Sequence, residues 1–95
     1  MLTELPAEIQ SALGALTPAL IAAHLSPMTW EFSEKEFGNF LVVFHSPSHK
    51  FTLTRDRGQF IVSGFERKSL ENQGLWRAFD TAEDLLPHLS RWLGQ

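Results

Sequence analysis

The residues of this chain that could move protons, hold a metal or attack an electrophile are few, and their spacing limits what they can do. Four histidines, His24, His45, His49 and His88, are the strongest metal candidates. Only His45 and His49 are close in sequence. They flank the turn-forming run Ser46, Pro47, Ser48, so they do not share a face as an i,i+4 pair on a helix would. No acid is interleaved with them and the chain has no cysteine. A zinc site is therefore short of its three or four ligands, and disulfides and thiol nucleophiles are excluded. Hydroxyls, histidines and acids all occur, but none sits in a nucleophile elbow, and no glycine-rich motif cradles a phosphate. The expectation is a protein without catalytic residues, metal or organic cofactor.

What remains is charge. The net charge is −3, and it is uneven: residues 1–47 carry five acids against Lys35 alone, whereas 48–95 carry six acids and seven bases. Glu31, Glu34 and Glu36 cluster at the end of a predicted strand. The bland reading is a solvated acidic turn; the sharper one is a patch that receives a basic partner. Arg55 and Arg57, with Lys50, Arg67 and Lys68, would form a basic edge beside a hairpin, or serve only to protect a strand edge from aggregation. An acidic chain of this kind does not attract nucleic acid in general. The run from Arg57 to Phe65 begins like an RNA-binding motif, but Gln59 and Ile61 occupy the positions where stacking aromatics are needed.

These side chains must be positioned by a small fold. With 95 residues, 43% of them hydrophobic and 20% charged, the chain is long enough for one core, and residues 1–95 read as a single domain. Such a domain depends on large side chains, here eight Phe and three Trp, which are expected in the core. Near the N-terminus, Ile9, Leu13 and Leu16, then Leu20, Ile21 and Leu25, recur at helical spacing. Pro6 and Pro18 suit first helical positions, Thr17 an N-cap and Gly14 a C-cap, which implies two short helices or one helix bent at Pro18. From Met28 the composition turns β-branched and aromatic, predicting strands over 28–33, 39–45, 50–55 and 59–63. Their links are too short for crossovers, so the sheet is an antiparallel meander.

The turn after Asp56 matters most. An even loop places Phe51, Leu53, Phe60 and Val62 on one face, whereas a three-residue loop divides them between faces, and the even loop is the expectation. Residues 64–74 show no period and read as a long loop. A short strand follows over 75–79, then a C-terminal helix opened by the box Asp80 to Glu83, with a stripe of Ala82, Leu85, Leu86, Leu89, Trp92 and Leu93 in which Pro87 marks a bend or a restart. The fold class is α+β: a four- to five-stranded antiparallel meander with two N-terminal helices and one C-terminal helix packed on one face.

The stretch from Phe51 to Val62, followed by Leu75 to Phe79 and a Leu-rich terminal helix, resembles small bacterial immunity-type proteins that neutralise polymorphic or contact-dependent toxins. The resemblance implies a cytoplasmic protein that occludes another protein with a charged face, and no functional residue carries over with it. The absence of a basic, apolar leader pattern near Met1 to Pro6, and of any run near the ~20 apolar residues of a membrane span, also makes the cytoplasm the expected location. The functional expectation is a protein-binding module of inhibitor or immunity type, a monomer or homodimer, using Glu31, Glu34, Glu36, Arg55 or Arg57. One alternative is a small enzyme or ligand-binding domain with a pocket between sheet and C-terminal helix, at His88 and Arg77. The other is a homodimeric structural or chaperone-like subunit.

Overall fold

The computed structural model describes residues 2–36 and 38–94; Met1, Phe37 and Gln95 lie outside the described residues. Two short helices, α1 (Ala7–Leu13) and α2 (Thr17–Ala22), are joined by a 3-10 turn at Gly14–Leu16. Five strands follow in sheet order β1-β2-β3-β4-β5, every neighbouring pair antiparallel: β1 (Ser26–Ser33), β2 (Asn39–His45), β3 (Lys50–Asp56), β4 (Gln59–Ser63) and β5 (Ala78–Phe79). Helix α3 (Arg67–Asn72) lies between β4 and β5, and α4 (Ala82–Leu93) closes the described chain. The architecture is the α+β meander that the sequence implies, with the optional fifth strand present.

The β3–β4 turn decides which face is buried. Asp56 pairs with Gln59, leaving Arg57 and Gly58 as a two-residue loop with φ of 52° and 83°. Positive φ at both central residues is the type I′ turn, whose twist matches that of the flanking strands. The even register follows: Leu53 faces Val62 across the strands, and Phe51, Leu53, Phe60 and Val62 are all buried. On β2, Phe40, Val42 and Phe44 join them. Against this face lie Ile9 and Leu13 of α1, Leu16, Leu20 of α2, Leu70 of α3, and Leu85 and Leu89 of α4, in one continuous apolar cluster. The other face, bearing Leu41, Val43, Thr52, Thr54, Ile61, Ser63 and Ala78, contributes nothing to that cluster.

Local signals were displaced in four places. Thr17 does not cap α2, because its own backbone is already helical (φ −53°, ψ −49°), and the 3-10 turn leads directly into α2. The capping box sits one residue later than its spacing suggested: Thr81 is the N-cap, and its side chain accepts from the Asp84 N–H at 3.0 Å. Pro87 does not end α4; Glu83, whose carbonyl loses its helical donor there, and Pro87 are both exposed, so water can satisfy the vacancy. The segment 64–74 is not all loop. Helix α3 is only six residues long, too short to show a period, and a single buried side chain, Leu70, anchors it. Its end is a Schellman closure, with Gly74 at φ 72° and the Leu75 N–H donating to the Leu70 carbonyl at 2.8 Å.

The expectation that the tryptophans are core is also corrected. Trp30 is 44% and Trp76 50% exposed. Trp92 packs against the core as expected, stacked on Phe65 with centroids 4.5 Å apart.

Two outcomes test the turn and the face it creates. Leu53→Ala should lower unfolding stability by about 2–5 kcal/mol in denaturant titration, since Leu53 is fully buried. Arg57→Asn should raise stability by about 0.5–1 kcal/mol, seen as a melting point a few degrees higher, because Asn adopts left-handed backbone at lower cost than Arg.

Candidate functional site

The helices leave the other face of the sheet uncovered. Side chains alternate across a strand, so the partners Glu31, Leu41, Thr54, Ile61 and Ala78 form one row across all five strands. Beside it run Thr29, Val43, Thr52 and Ser63. Leu41, Val43, Thr52 and Thr54 are half-buried by their neighbours alone, and Ile61 is exposed. Trp76, two residues before Ala78, extends the apolar strip beyond β5, and the guanidinium of Arg67 lies 4.6 Å from its ring centroid. Arg67 is also paired with Glu71 at 2.8 Å.

At one end of this face is a hollow of about 390 Å³, walled by the end of β1, the 3-10 turn at Glu34–Glu36, and the facing ends of β2 and β3. Glu31, Glu36 and Asp56 bring carboxylates to it, and Leu41 and Ile61 bring apolar surface. Asn39 secures its rim. Its side-chain amide donates to Asp56 Oδ1 at 3.0 Å, and its carbonyl oxygen accepts the Arg57 N–H at 2.9 Å, so the β3–β4 turn is tied to the start of β2. Further along, Gln59 donates to Asp80 Oδ1 at 2.9 Å.

The five residues singled out from the sequence have separate fates. Glu31 and Glu36 line the hollow together with Arg55. Glu34 shares the exposed 3-10 turn with Lys35, outside the lining. Arg57 occupies the exposed turn. Arg55 is half-buried and belongs by register to the helix-covered face, between its cross-strand partners Phe40 and Phe60. Its guanidinium carbon lies 5.8 Å from the Phe60 ring centroid, and its buried Nε has no hydrogen-bond partner among the described residues. A single basic edge does not form. Lys50 is at the far end of β3 from Arg57, on the order of 20 Å away at strand rise, and Arg67 and Lys68 belong to α3.

His88 and Arg77 both lie against the buried ring of Phe79, at 5.5 Å and 4.6 Å from its centroid respectively, with Arg77 itself exposed. His88 also closes over Gly74, where an added Cβ would come within 2.8 Å of its Nδ1. His49 packs edge-on against Trp92 at 4.6 Å. These are packing roles. Sequence reasoning missed the exposed Ile61 and Trp76; the signal for Ile61 was the even turn, which, having buried Phe60 and Val62, obliges Ile61 to face outward.

Among the described residues there is no group of three or more His, Cys, Asp or Glu that could hold a metal ion, and no helix long and apolar enough to cross a membrane. Metal analysis of untagged protein should find far less than one zinc per chain, and a chelator should leave the melting temperature unchanged. No family model, curated protein or solved structure matches this chain.

Proposed function

We propose that this chain is a protein-binding module of the inhibitor or immunity type, acting in the cytoplasm by stoichiometric binding without catalysis. The observation that carries the reading is the uncovered sheet face, whose apolar strip ends in the acidic hollow at Glu31 and Glu36. A face of this composition resembles a non-obligate protein interface, apolar at its centre and charged at its rim. The partner it fits carries basic side chains that reach the hollow, with apolar side chains that meet Leu41 and Ile61. Carboxylates at the rim act mainly on encounter, by raising the local concentration of a basic surface.

The ligand-binding alternative rests on the same hollow rather than on His88 and Arg77, because its concavity would also admit a small cationic molecule. The two readings differ in what they bury. A protein partner covers Ile61 and Trp76 as well as the hollow, whereas a small molecule covers the hollow alone.

The test begins with cross-linking in the native host to identify the bound protein, followed by kinetics with the purified pair. The association rate should fall as salt is added, and should fall about 3- to 30-fold at low salt when Glu31, Glu34 and Glu36 are all changed to Gln. Stability should move by less than about 0.5 kcal/mol, since all three side chains are exposed. An unchanged rate in the triple variant would sink the acidic-face reading. A small molecule that raises the melting temperature, with no protein captured, would favour the ligand alternative.

A further inference from the structure

The open face has a polarity along its strands that a basic partner alone does not use. Its column on β3 runs Lys50, Thr52, Thr54, Asp56, with a cation at one end and an anion at the other, both exposed. The neighbouring columns agree. At the Asp56 end lie Glu31, Glu36 and the Asp80 carboxylate that Gln59 holds, against Arg57 and Lys35. At the Lys50 end, the open-face positions carry His45 and Ser26, with Thr29 and Ser63 one row further in, and no acid. Between the two ends are Leu41, Val43 and Ile61.

We infer that, when no other partner is bound, the chain covers this face with a second copy of itself, in an isologous dimer that occludes the acidic hollow. The inference rests on the reading that the open face is an interaction surface, and it adds a regulatory state to that surface. Charge complementarity selects the occupant. A two-fold axis lying between two such faces, at right angles to β3, reverses strand direction and sets Lys50 of each copy against Asp56 of the other. The same operation lays Leu41 over Val43 and keeps the Thr52 and Thr54 rows near the axis. A two-fold contact must be self-complementary, and a face with opposite charges at its two ends and apolar residues in the middle meets that condition. Two sheets stacked face to face pack about 10 Å apart with strands within about 30° of alignment, an arrangement in which alternate side chains of both faces interdigitate.

The footprint is small. Five strands at about 4.8 Å spacing and a β3 of about 20 Å give a patch roughly 20 Å on a side, below the standard size of stable interfaces. The dimer is therefore weak, in the micromolar range or above, so a tighter partner can displace it. Binding of that partner and self-association exclude each other.

Sedimentation equilibrium of the purified chain, alone and across roughly 5 to 500 micromolar, tests this without reference to any partner. The expected result is a mass that rises with concentration from 10.8 kDa toward twice that value, and a dissociation constant that increases with salt. Lys50→Glu and Asp56→Lys should each weaken the dimer tenfold or more, and combining both changes in one chain should restore it, since the swapped charges again face each other. Ile61→Asp should leave monomer throughout. Lys50 and Ile61 are exposed, so these two variants report on association with the fold intact. A chain that stays at 10.8 kDa at every concentration overturns the inference. A dimer indifferent to Lys50→Glu and Ile61→Asp overturns it as well, because the contact then lies elsewhere. Neither result touches the partner kinetics, which fail or succeed on the glutamate variants.

Discussion

The two-residue turn at Arg57 and Gly58 determines the identity of both faces of the sheet. Because side chains alternate with period two, one more residue in that turn would send Phe60 and Val62 to the side away from Phe51 and Leu53. The type I′ geometry prevents this, and it requires positive φ at an arginine, an uncommon and mildly strained conformation for a residue with a β-carbon. Two contacts offset the strain. Asn39 accepts the Arg57 N–H and donates to Asp56, so the turn is held from β2 as well as from within. The same asparagine stands at the rim of the acidic hollow, which means the constraint that sorts the core also shapes the candidate site.

With the faces sorted, the rest of the packing has little freedom. All four helices are too short or too irregular to be stable in isolation; each contributes one to three buried aliphatic side chains to a layer whose other half is the Phe-rich face of β2, β3 and β4. That layer includes no buried polar or charged residue among those described, so it is held by apolar burial and shape rather than by a specifying polar network. Polar and charged groups are consequently concentrated on the surface and at the open face. The edges are handled differently. β1 carries Pro27 and a register shift between Pro27 and Thr29, both of which spoil continuous pairing, and β5 is only two residues long.

The open face is where stability and the proposed binding separate. Its residues are absent from the buried cluster, so changes there cost the fold little, while they present the apolar strip, the hollow and the charges at either end. Arg55 shows how closely the two roles approach each other. By register it belongs to the covered side, with Phe60 beneath its guanidinium, yet it also lines the hollow. A basic residue that looks from its neighbours like part of an exposed edge is thereby taken partly into packing, while its charge stands beside the carboxylates of Glu31, Glu36 and Asp56 in the hollow.

From the sequence by itself come the α+β class, the antiparallel meander, the even turn and its four buried residues, because each rests on local periodicity or on the length of a connection. The acidic cluster at 31–36 was legible for the same reason. Helix α3 was not, although Leu70, Gly74 and Leu75 hold the spacing of a Schellman closure; six residues around one anchor offer no period to read. Nor could the chain reveal that Glu31 and Glu36 share a hollow while Glu34 does not, that Arg55 turns inward, or that Lys50 and Arg57 stand at opposite ends of β3. Those outcomes depend on register between strands and on which side the helices cover, and both are set by contacts between residues far apart in sequence, which only the tertiary structure decides.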